Sequence, residues 1–117
     1  MASTTIAQAV TDLYTLLNTS ISGVTKVYDH EPTTPVDNSV TVTCQAVTPD
    51  FFVLSLRIYV KVGDARDSQQ RLWTLIQNVD ATVDAQFGPS RWDITYDPEA
   101  QVFIATNLLE TGREDSY

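Results

Sequence analysis

Carboxylates are the only abundant reactive groups in this 117-residue chain, which sets fifteen Asp and Glu against seven Lys and Arg, one His and one Cys. Asp80 and Asp84 stand four apart in a helical pattern and share a flank with Trp73 and Phe87. Such a pair could work as acid and base or ligate a hard cation. With no further ligand type at helical spacing, a solvated helix edge is the reading the pattern favours. Asp93 and Asp97 bracket an alternating segment without the glycine-bearing spacing of a calcium loop. His30, next to Glu31, has no histidine or cysteine partner at metal-ligand spacing. Cys44 lies in an alternating apolar run, which predicts a buried thiol. Acting as a nucleophile with His30 would require that thiol to be exposed. The four glycines, Gly23, Gly63, Gly88 and Gly112, are too scattered to build a phosphate-cradling loop. The expectation is no enzyme, no cofactor and no metal.

Recognition chemistry is better represented. Tyr59 shares one strand face with Arg57 and Lys61, and Phe51 starts the same strand next to Phe52. An aromatic beside an arginine on the less apolar face of a sheet has interface composition, although a Tyr lying flat on a solvated sheet has the same pattern. Pro32 and Pro35 sit in the segment His30–Asn38, where missing amide donors resist helix and central strand and predict an extended loop. Arg57, Tyr59, Lys61, Phe51, Pro32 and Pro35 are therefore the candidate oligomer or partner contacts.

The elements that position these residues follow from periodicity. Phe51–Val62 alternates, with Phe52, Leu54, Leu56, Ile58, Val60 and Val62 on one side, and predicts a long half-buried strand. Leu72, Leu75, Ile76, Val79 and Val83 then recur with helical spacing. Asp67 and Gln70 suggest a helix start at Asp67, and Gly88-Pro89 its stop. Upstream, Thr5 and Gln8 form a capping-box pattern for a helix over about Thr5–Asn18, whose face is Ile6, Val10, Leu13 and Leu17. Val24–Asp29 reads as a short strand. Ser39–Val47 alternates and joins Phe51–Val62 through the turn Thr48-Pro49-Asp50 as an antiparallel hairpin. Arg91–Tyr96 and Val102–Leu109 form a closing hairpin, and Glu110–Tyr117 a loose polar tail. The order α-β-β-β-α-β-β predicts an α+β fold, a single antiparallel-dominated sheet with two helices packed on it.

Length fits one domain spanning 1–117, and 43% hydrophobic content is enough for a core without staples. One cysteine excludes an internal disulfide framework and suits a reducing compartment. The net charge of −8, with basic residues scattered, argues against tight phosphate-backbone binding. Met1–Gln8 has no signal-peptide pattern and no apolar run reaches spanning length, so a soluble product of the cytoplasm without membrane contact is expected.

The run Leu56-Arg57-Ile58-Tyr59-Val60-Lys61-Val62, the short break Gly63–Arg66 and the helix over Asp67–Gln86 resemble the middle of siphophage tail terminator proteins, also called minor tail or tail-completion proteins. The first helix, the Pro-containing loop before the hairpin and the closing Trp92–Leu109 hairpin fit the same plan. The resemblance implies a structural virion protein of the tail or neck, assembled in the host cytoplasm. Such proteins form a homo-oligomeric ring, usually a hexamer, that caps the tail tube and meets the head–tail connector or stopper protein, with DNA passing through the lumen unbound. Loop 30–38 and tail 110–117 would then be assembly arms. The family has no positional motif, so no site residue follows from it. Two rival expectations stand beside it: another neck component, such as a head-completion or stopper protein, and a small acidic binding or regulatory module that mimics the charge of DNA.

Overall fold

The computed structural model describes residues 2–3, 5–20, 24 and 26–113. The elements are β1 (Ala2–Ser3), α1 (Ile6–Ser20), β2 (Lys26–Tyr28), β3 (Ser39–Val47), β4 (Phe51–Lys61), α2 (Ala65–Phe87), β5 (Asp93–Asp97) and β6 (Val102–Arg113). They form one mixed sheet in the order β1-β6-β4-β3-β2, with β5 also paired to β6. Three pairings are antiparallel, β3–β4, β4–β6 and β5–β6, while β1–β6 and β2–β3 are parallel. Apart from the two-residue β1, this is the expected α+β architecture with two helices and a mostly antiparallel sheet.

β4 sets the plan. Its alternation sends Phe52, Leu54, Leu56, Ile58 and Val60 to one face, where all are buried. Val40 and Val42 of β3 and Ala105 and Leu109 of β6 lie beside them on that face. Helix α2 adds Leu72, Leu75, Val79 and Val83, and α1 adds Ala9, Leu13 and Leu17. Each fully buried Leu, Ile or Val among them contributes about 1.5–3 kcal/mol. A bulge between Cys44 and Ala46 shifts the β3–β4 register and bends the strand end. Asn107 and Thr111 are buried polar residues on this face, and Asn107 Nδ2 donates to Ser90 Oγ at 2.7 Å.

Two boundaries and two burial assignments differ from the sequence expectation. Helix α2 starts at Ala65, capped by Asp64, whose Oδ1 accepts from the amides of Arg66 (3.0 Å) and Asp67 (3.1 Å). Asp67 instead sits in the first turn, where its charge suits the helix dipole. The stop is as expected: Gly88 has φ 80° and its amide donates to Asp84 O at 2.9 Å. On α1, Thr5 Oγ1 does accept from the Gln8 amide at 3.0 Å, yet the buried stripe runs through Ala9, Leu13 and Leu17. Ile6, the first helical residue, is left 45% exposed. Residues 110–113 are not loose tail but the end of β6, because β4 supplies Phe51, Phe52 and Val53 as cross-strand partners for Gly112, Thr111 and Glu110. The remainder of the expected tail arm, 114–117, lies outside the described residues. Lastly, Cys44 is only partly covered, its thiol donating weakly to Ala46 O at 3.4 Å beside the bulge.

Candidate assembly surface

The helices cover one face of the sheet, and the chain must cover or expose the other. On that second face lie Phe51, Val53, Ser55, Arg57, Tyr59 and Lys61 of β4. Beside them run Ser39, Thr41 and Thr43 of β3, and Val102, Ile104, Thr106, Leu108 and Glu110 of β6. The parallel β2–β3 pair decides how much of this face is open. Parallel neighbours cannot be joined by a tight hairpin, so the connection must leave the sheet and return to the same end. Residues 29–38 make that return as a strap across the face.

Two carboxylates pin the strap. Glu31 Oε1 accepts hydrogen bonds from the Tyr59 hydroxyl and from Arg57 Nη1, the latter at 3.4 Å. Asp37 Oδ1 accepts from the Lys61 backbone amide at 2.8 Å and from Arg71 Nη2 at 3.2 Å. Arg71 also donates to Lys61 O at 3.1 Å, so the strap, the end of β4 and the start of α2 share one network. The Ser39 hydroxyl closes the strap by donating to Val36 O at 2.7 Å. Asn38 absorbs the reversal with φ 55°, a left-handed conformation that asparagine tolerates.

Tyr59 is consequently 3% exposed. Burial first and the Glu31 carboxylate second push its hydroxyl from 10.0 to about 12, with Arg57 pulling the other way. The Arg57 guanidinium is held above its ordinary range, chiefly by hydrogen bonding with Tyr59 and secondarily by Glu31. This corrects the assignment of Tyr59 as a partner contact, since its own strap occupies the place a partner would take. Pro32 and Pro35 are half-buried in a docked strap and not the tips of a free arm. Arg57 is half-buried in the latch. Lys61 and Phe51 are exposed, Phe51 at 41%.

The strap reaches only the Tyr59 end of the face. At the other end Phe51 and Leu108, the latter 49% exposed, flank half-buried Val53, forming an apolar patch on a central strand pair. Leu108 was not among the sequence candidates, although its place opposite Ser55 puts it on that face. Glu31 and Asp37 were missed as well. Their partners lie 24 to 34 residues away, beyond any local pattern.

The remaining reactive groups stay apart. Asp80 Oδ1 accepts the Trp92 indole N–H at 2.9 Å, a structural role that ties the α2 flank to the approach of β5. His30 hydrogen-bonds Asp29 at 2.9 Å, which holds that carboxyl below its usual range, and meets Tyr28 edge-on at 5.6 Å. Asp97 Oδ1 accepts from the Glu99 amide at 3.0 Å and organises the β5–β6 turn. Among the described residues, no three His, Cys, Asp or Glu gather as a metal site and no pocket is enclosed. No helix there is long and apolar enough to cross a membrane. No protein-family model matches this sequence, and no curated protein or solved structure matches it either.

Proposed function

We propose that this chain is a non-catalytic structural subunit of a siphophage virion, a tail terminator that closes into a ring, caps the tail tube and offers a surface to the neck. Besides the resemblance of element order and of the Leu56–Gln86 run, one observation carries the reading. Two helices cover the central strands on one face of the sheet, while the other face keeps an apolar patch at Phe51, Val53 and Leu108 on the central pair β4–β6. A partly apolar sheet face is a suitable platform for neighbouring subunits. The acidic balance suits a ring through which DNA passes unbound, because clustered cations are what hold DNA.

Electron microscopy of purified tail tubes mixed with the protein tests the reading. Closed rings on one end of the tubes are the expected outcome. Protein that stays in the supernatant and leaves every tube end bare defeats it. Binding to isolated connectors with none to tubes would transfer the assignment to a head-completion or stopper protein.

A further inference from the structure

The helix layer does not reach the β5 edge of the sheet. Ile94 and Tyr96 pair with Ala105 and Phe103, residues of the helix-covered face, yet each is 48% exposed. Beside them runs a flank of α2 on which Arg66, Trp73, Gln77, Asp80 and Asp84 recur at helical spacing. The Asp80–Trp92 hydrogen bond fixes this flank toward β5, and Trp73 stands 51% exposed on it. The flank and β5 together form an open apolar shelf.

One cation and one carboxylate of the shelf lie at equal distances from Trp73, while Asp84 has the uncharged Val62 at its mirrored position. Arg66 precedes Trp73 by seven residues and Asp80 follows it by seven, about 10 Å along the axis in either direction. Arg66 is exposed and has no ion-pair or hydrogen-bond partner for its side chain among the described residues. Asp80 uses only Oδ1 for Trp92. A cation, a central aromatic and an anion at equal spacing make the flank complementary to itself when reversed, which is the condition for an isologous contact.

We propose that a second copy of this chain docks on the shelf across a two-fold axis beside Trp73, with the two α2 helices antiparallel. Arg66 of each copy faces Asp80 of the other, and the two Trp73 indoles meet at the axis. Ile94 and Tyr96 widen the apolar contact on either side. This contact goes beyond the ring reading and does not depend on it, because a cyclic ring is built from heterologous contacts and this one is two-fold.

The test uses four variants of the full chain, each checked for folding by circular dichroism. Trp73→Cys in a Cys44→Ser background should form a disulfide-linked dimer on mild oxidation at least tenfold faster than Thr33→Cys in the same background, since the two-fold axis holds position 73 against itself and leaves exposed position 33 apart. In sedimentation equilibrium, Arg66→Glu and Asp80→Lys should each weaken self-association at least tenfold. An equimolar mixture of those two should recover it, because only the mixed pair has opposite charges at both contacts. Damage to either variant's fold would not be repaired by mixing. A chain that stays monomeric, a dimer indifferent to both reversals, or a dimer without the faster cross-link overturns the proposal. Rings capping tubes alongside any of those results would leave the terminator reading standing and remove only the two-fold contact.

Discussion

The two faces of the sheet are built from the same strands and differ in almost everything else. Along β4, every second residue enters a helix-roofed core in which Phe52, Leu54, Leu56, Ile58 and Val60 are all buried. The residues between them are covered unevenly: Tyr59 lies under a ten-residue strap, Arg57 is half-buried, and Phe51 stands out in solvent. The helical face is held by apolar burial, which is non-directional and tolerant in detail. The strap is held by two carboxylates and their hydrogen bonds, which are directional. A single strand thus carries a permanent interface on one side and a small, polar, locally fastened one on the other. Along β4, only the second leaves surface to spare.

The largest expected effect tests the permanent side. Leu56→Asp places an unpaired carboxylate in the middle of the core, and should abolish the cooperative urea transition and the native circular dichroism spectrum. Next comes the strap. Tyr59→Ala should cost about 3 kcal/mol in urea unfolding, through the lost ring and the stranding of Glu31 and Arg57. A loss below about 0.5 kcal/mol would show that the strap is not seated in solution.

The pH dependence of the same latch is smaller. The folded state holds the Tyr59 proton up to about pH 12, whereas the unfolded chain releases it near 10.0. The contribution is therefore complete below pH 10 and is lost as pH rises toward 12, by on the order of 2 kcal/mol. Stability curves of the wild type and Tyr59→Phe should diverge in that window. Parallel curves would mean that the hydroxyl is not buried against Glu31. The smallest effect belongs to the open patch: Leu108→Asp should stay within about 0.5–1 kcal/mol of wild type by the same urea measurement, despite making the same chemical change as Leu56→Asp.

These two faces were not equally legible from sequence. The helical face was read correctly because period-two and helical patterns report burial directly, and β4 and the apolar stripe of α2 stood out for that reason. The opposite face depends on how the chain returns from β2 to β3, and nothing local in His30–Asn38 announces a parallel pairing. Without it the strap cannot be placed, and Tyr59 reads equally as a partner contact or as a Tyr lying flat on a solvated sheet. The α2 start was misplaced because Asp64 and Asp67 both precede helical spacing, and only backbone geometry shows which one caps. The end of β6 had a readable signal. An eleven-residue β4 needs partners along its whole length, and Val102–Leu109 is too short to supply them. The shelf residues Ile94 and Tyr96 alternate as a buried strand would, but the helix layer stops short of them.

The account rests on the open sheet face being the one that meets other subunits. The most direct measurement is electron microscopy of tail tubes mixed with wild-type protein and, in parallel, with Leu108→Asp shown to be folded. Rings on tube ends with the wild type and bare ends with the variant are the predicted result. Equal capping by both proteins, or bare tubes with both, would contradict it.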